Sequence, residues 1–211
     1  MKALNWVPIA LSCAGGSLLA FDPTEEPPLR FELRLGDETV EVRAGTPFEV
    51  SVDGKTIKGE LVARPTRRLV LEEHEFEYPQ GMTFEYESVF GTKIWTLDGN
   101  DSVVMVYRHL GALSLDEFAE LIADGLSGSF GAPEESEVSI HLGGREVHGR
   151  ALVCDGSGFF IHSELFQLGA GARTRSTLIL QDVRHERDEP TEEFLAVRQL
   201  LEETFTGRGD R

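Results

Sequence analysis

The chain has 211 residues, 40% of them hydrophobic and 27% charged, with 37 acidic against 20 basic side chains and a formal net charge of −17. That length fits one domain of ordinary size, or a small module joined to a larger one, and excludes two full-sized domains. Acid spread along the chain repels a phosphate backbone. The basic groups at Arg64, Arg67 and Arg68 and at Arg173 and Arg175 also lack the interleaved aromatics of a single-strand groove, so no nucleic-acid partner is expected.

Residues 1–20 have the shape of a signal peptide: Lys2, an apolar stretch over 6–11, then the small residues Gly15, Gly16, Ser17 and Ala20. The apolar run is broken by Pro8 and Ser12 and is shorter than the roughly 18–20 residues of a membrane-spanning helix, so no transmembrane span is expected. The reading is export, to a periplasm or out of the cell. Ala10-Leu11-Ser12-Cys13 is similar to a degraded lipobox, which makes Cys13 a candidate for lipid anchoring. If the stretch is not a signal, the protein is cytoplasmic. Residues 21–28, with Pro23, Pro27 and Pro28, read as a tether.

From 29 to 63 the pattern has period two, with Phe31, Leu33 and Leu35 alternating with Glu32 and Arg34, and Val40 and Val42 following Gly36-Asp37. Asp53-Gly54 supplies a further hairpin turn. The segment 64–68, with Pro65 and three arginines, reads as a connection. Residues 29–68 are thus expected to form a small antiparallel β-meander module, with a boundary near residue 68.

The larger domain is expected over 69–206, with 207–211 a tail. It opens with one strand over 69–78, then an alternating strand around Phe84-Glu85-Tyr86-Glu87, then a hairpin of 93–97 and 103–107 about Asp98-Gly99-Asn100-Asp101. Ser114-Leu115-Asp116-Glu117 is a capping box, followed by Phe118, Leu121, Ile122 and Leu126 at helical spacing. Four strands follow at 138–142, 146–153, 159–168 and 174–183, the first pair joined by Gly143-Gly144. Thr191 then caps a closing helix with Phe194, Val197, Leu201 and Phe205 on one face. The expected class is α+β, an antiparallel sheet with helices packed on it.

This order of elements resembles the PsbP-like family, which includes the Mog-like proteins and exported bacterial proteins of unknown function. The resemblance covers about residues 72–206. It is carried by Tyr78-Pro79-Gln80-Gly81-Met82 before a strand, the Trp95 hairpin, Ser114-Leu115-Asp116-Glu117-Phe118, Gly143-Gly144 and Leu200-Leu201-Glu202-Glu203-Thr204-Phe205. It implies an α/β/α sandwich and an accessory, non-enzymatic role, and it carries over no functional residue and no cofactor.

Few residues suggest chemistry. Two-residue-turn pairing about Gly143-Gly144 sets His141 opposite Glu146 and His148 opposite Ser139, with Glu137 and Arg150 on the same face. Two imidazoles and a carboxylate are a candidate transition-metal set, and a solvated hairpin face is the alternative. His74 lies among Glu72, Glu73, Glu75 and Glu77, read as a water-exposed acidic face with Glu85 and Glu87 as neighbours. Asp98, Asn100 and Asp101 fit turn chemistry better than a calcium loop. Cys154 is expected to be a buried, inert thiol, and Ser157, Ser163 and Ser176 lie outside any nucleophile motif. The leading expectation is an exported binding or accessory protein whose partner is another protein or an envelope component. The alternatives are a metal-binding protein or metal-dependent enzyme using His141, Glu146 and His148, and an intracellular chaperone-like adaptor.

Overall fold

A computed structural model describes residues 22–35, 38–43, 59–111, 113–170 and 174–207. The proposed signal stretch, Cys13 and the Gly36-Asp37 and Asp53-Gly54 turns lie outside the described residues. The period-two runs at the start form β1 (Arg30–Leu35), β2 (Glu38–Arg43) and β3 (Gly59–Ala63), an antiparallel sheet in the order β2-β1-β3. The segment read as a connection is instead part of a strand, β4 (Thr66–Val70), so the expected boundary near residue 68 falls inside it. β4 turns back through Leu71, whose amide donates to the His74 carbonyl at 2.8 Å, into β5 (His74–Pro79). What reads as one strand over 69–78 is thus a tight hairpin. It forms a second small sheet with the terminal β13 (Thr206–Gly207), in the order β13-β5-β4.

The main sheet has seven strands: β6 (Thr83–Val89), β7 (Thr92–Asp98), β8 (Ser102–Leu110), β9 (Glu134–Leu142), β10 (Arg145–Asp155), β11 (Phe160–Ala170) and β12 (Thr174–Arg184). The order is β6-β7-β8-β12-β11-β10-β9, antiparallel throughout. Two meanders meet at the β8–β12 pair, and helix α1 (Leu115–Phe130) crosses the sheet from β8 to its far edge at β9.

The Ser114–Glu117 capping box forms as expected, and α1 lies against Leu152, Leu165 and Ile179. Its buried stripe is Phe118, Ala119 and Ala123, while Leu121, read as part of that stripe, is 60% exposed. Leu115, Ile122 and Leu126 pack along the same stripe, and at roughly 100° per residue Leu121 falls outside it. On the opposite face α2 (Glu192–Thr204) buries Phe194, Val197 and Leu201, with Phe205 at its end. Gly149 lies directly under this core, where a Cβ would fall 2.5 Å from the Phe166 ring.

The α+β expectation, a PsbP-like α/β/α sandwich, does not hold. Among the described residues the chain is mostly strand, with thirteen strands and two helices. The layer facing away from α1 is only partly helical: Leu69, Phe76 and Tyr78 of the β4–β5 hairpin share one core there with α2 and with Trp95, Val106, Phe166 and Leu178 of the main sheet. Sheet packs on sheet over much of that face, and one helix completes it.

The first meander is tied to this body through charge. Arg30, 8% exposed, donates to the Glu77 carboxylate of β5 and, bidentately, to Glu41 at 2.7 and 2.8 Å. Thr66 Oγ1 also donates to Glu77, at 2.6 Å. Burial pushes the Glu77 carboxyl up, but the Thr66 hydroxyl and the Arg30 guanidinium outweigh it, so the group sits below the usual carboxylate range. Removing one partner of such a pair leaves the other charge buried and uncompensated. Arg30→Met should therefore lower the free energy of urea unfolding by about 3 kcal/mol. Adding Glu77→Gln, which keeps the Thr66 contact without the charge, should restore more than half of that loss. A double variant as unstable as the single one would show that the pair is not the joint.

Candidate functional site

The β9–β10 hairpin forms in the expected register, with His141 paired to Glu146 and His148 to Ser139 across Gly143 and Gly144, whose φ values of 58° and 76° define a tight turn. His141, Glu146 and His148 are exposed on the face that α1 covers farther along, where Arg150 pairs with Asp116 at 2.8 Å. Among the described residues no three His, Cys, Asp or Glu side chains come together to hold a metal. Cross-strand pairing sets His141 opposite Glu146, with His148 two residues farther along the same face.

The acidic segment around His74 is not a water-exposed face. β5 is covered on both sides: Phe76 and Tyr78 enter the core, while Glu75 and Glu77, each 9% exposed, face the Thr206 hydroxyl and Arg30. Its alternation is polar and apolar, but the polar face meets protein rather than solvent. His74 is 8% exposed, packs its ring 5.3 Å from that of Phe205, and has neither ring nitrogen hydrogen-bonded. Burial pulls its pKa down, against a smaller upward pull from Glu73.

The Asp98–Asp101 turn is an anion seat filled by the chain itself. The amides of Asn100, Asp101 and Ser102 donate to the Glu193 carboxylate at 3.2, 2.6 and 3.0 Å. At Gly99 a Cβ would stand 2.7 Å from Glu193 Oε1, so a larger residue there would displace the carboxylate from its seat. Burial raises the Glu193 pKa, but these amides together outweigh it, for a net depression. Asp182, with no exposed surface, accepts from Thr191 Oγ1 at 2.7 Å and Arg184 Nε at 2.6 Å. Arg198 of α2 donates to Glu164 and to the Ser139 carbonyl. The Cys154 thiol is buried, and burial pushes its pKa up. Ser163 and Ser176 are buried within strands, and Ser157 stands in a turn with φ 60°.

Among the described residues, the β6–β7 tip gathers the most exposed large apolar side chain and two exposed apolar neighbours. Phe90 stands in the left-handed region at φ 49°, followed by Gly91 at φ 84°, and its side chain is fully exposed. A tight hairpin turn of this kind favours Asn or Gly at Phe90's position, and a bulky L-residue there costs about 1 kcal/mol. Val89 and Leu110 are exposed beside it, at 46% and 71%. Under the tip runs a groove of about 360 Å³ lined by Glu72, Ser88, Lys93, Arg108 and Leu110. Register sets Ser88, Lys93, Arg108 and Ser176 in one row across β6, β7, β8 and β12. Glu72 bridges two members of that row, 2.6 Å from Arg108 and 3.8 Å from Lys93. Sequence reading missed this surface, although the signal was present: an aromatic-glycine pair between alternating runs, where Asn-Gly or Asp-Gly is the usual turn.

The segment read as a free tether is docked nearby. Trp95 Nε1 donates to the Pro23 carbonyl at 2.6 Å, Arg67 pairs with Glu26, and Pro27 is buried. No family model matches the chain, and no curated protein matches it.

His74 gives a pH test of this core. Its folded pKa is below the unfolded value of 6.5, so its contribution to stability is complete above 6.5 and is lost as the pH falls through the folded value. Wild-type unfolding free energy should decline as the pH falls below about 6.5, and His74→Phe should flatten part of that decline. An unchanged slope in the variant would mean that His74 is solvated.

Proposed function

We propose that this chain is an exported, non-enzymatic accessory protein that binds another protein or an envelope component through the β6–β7 tip. The observation that carries the reading is Phe90, a fully exposed aromatic held in a left-handed conformation. Folding gains nothing from it on either count, since the ring stays in water and the backbone conformation is unfavourable. Exposed aromatic anchors of this kind are the residues that dominate protein interfaces once a partner desolvates them.

One further observation supports a binding role. The buried carboxylates Glu77, Glu164 and Asp182 each hold internal contacts that position strands or α2. Export rests on the Lys2 and apolar 6–11 pattern, and no helix among the described residues is long and apolar enough to cross a membrane.

Phe90→Asn separates folding from binding. The variant should be as stable as the wild type or more stable, by up to about 1 kcal/mol in thermal or urea unfolding. In the native host it should lose the cross-linked partner that the wild-type chain captures. A variant that keeps the cross-link, or that loses stability, would remove the tip from the binding role. Intact mass in fractionated cells tests the compartment. Loss of residues 1–20 outside the cytosol supports export, and a full-length cytosolic chain overturns it in favour of an intracellular adaptor.

A further inference from the structure

Lys93 and Arg108 are cross-strand neighbours on the groove floor and share one carboxylate, that of Glu72. Arg108 is well engaged, but Lys93 reaches Glu72 only at 3.8 Å, and its side chain is 41% exposed. Asp22 acts on Lys93 through charge alone, its own carboxylate accepting from the Thr24 amide at 2.9 Å and hydroxyl at 2.7 Å. On a chain of net charge −17, the groove is therefore a place where a cation stands incompletely paired beside exposed apolar side chains. Glu72 is itself 56% exposed and sits over both cations in the position a ligand carboxylate would take.

We infer that this groove receives a short acidic and apolar segment of a partner protein, a carboxylate on Lys93 flanked by side chains that cover Phe90 and Leu110. The inference rests on the binding role proposed for the tip. Charge complementarity selects the carboxylate. The size of the surface selects a polypeptide: a small molecule of the groove's volume would leave Phe90, which projects beyond it, in water. A second copy of this chain is a poorer occupant, because two acidic chains repel each other.

The test is selection of a random peptide library on the purified full chain, followed by affinity measurements on the recovered peptides. Recovered sequences should combine Asp or Glu with Leu, Phe or other large apolar residues. Lys93→Glu should weaken their binding by about ten-fold or more, because it places like charges face to face. Glu72→Gln should strengthen it by about three-fold, because an exposed competing ion pair is removed. Lys93 is half-exposed and its pairing with Glu72 is loose, so Lys93→Glu should keep the wild-type thermal transition. Basic or uncharged peptides, no enrichment, or indifference to Lys93→Glu would overturn the inference. So would a dimer in sedimentation that Lys93→Glu dissociates, which would assign the groove to a second copy. If Phe90→Asn abolishes the native cross-link while Lys93→Glu leaves it intact, the tip reading stands and the acidic-segment inference falls.

Discussion

The carboxylate of Glu77 lies on a strand with no free face, and the way β5 accommodates it decides how the parts of the chain are joined. On one side Phe76 and Tyr78 belong to the main core; on the other, Glu77 must face protein. A buried carboxylate without partners would be protonated or would destabilise the fold by several kcal/mol. Arg30, Thr66 and Arg68 resolve this, the last at 3.5 Å, and Arg30 carries the constraint outward to Glu41 of the first meander. A small three-stranded sheet, which has too little core to stand alone, is thereby fixed to the body by a geometry-specific contact. Such a pair specifies position more than it adds stability, because desolvation offsets much of its Coulomb attraction.

The same device recurs along α2. Its N-terminus is set by Asp182 through Thr191, its first turn by the Glu193 carboxylate on the amides of 100–102, and its middle by Arg198 on Glu164 and the Ser139 carbonyl. These contacts reach β12, the β7–β8 turn, β11 and β9, so one helix is pinned to four parts of the main sheet. The apolar stripe Phe194, Val197 and Leu201 supplies most of the burial energy, at roughly 1.5–3 kcal/mol for a fully buried large side chain. The polar clamps choose the position in which that energy is collected. These contacts engage Glu193, Glu164 and Asp182 within the fold.

Much of the local structure is legible in the residues. Alternation marks β6 to β8, the Asp98–Asp101 and Gly143-Gly144 turns fall where they are expected, and the Ser114 and Thr191 caps start both helices. Even the pairing of His141 with Glu146 follows from a two-residue turn. What covers each strand is not legible, because periodicity reports that a face is buried and never by what. The mostly-β layering turns on the 66–79 hairpin packing where a helix was expected, and its hinge at Glu72-Glu73 lies in a run that reads as continuous strand. The acidic alternation of β5 looks solvated for the same reason: its partner Arg30 is 47 residues away in sequence. The candidate site is overlooked on different grounds: Phe90-Gly91 between alternating runs marks a turn, but its aromatic reads as a core residue unless that turn is recognised.

The recognition proposed for the end of the main sheet would have an electrostatic consequence for a chain this acidic. Beyond about 8 Å at physiological ionic strength, the net charge of −17 is largely screened, so its repulsion of an acidic segment acts mainly during approach. At contact, the local charge dominates: Lys93 and Arg108 against Glu72, with apolar Phe90 and Leu110 alongside. Salt then has opposite effects on the two stages, easing encounter by screening the whole chain while weakening the exposed Lys93 contact. Apolar burial of Phe90 is indifferent to such screening and must supply most of the affinity, with the cations choosing among apolar partners. The left-handed strain at Phe90 fits that division, because a side chain that must be desolvated by another molecule has to stand clear of its own fold.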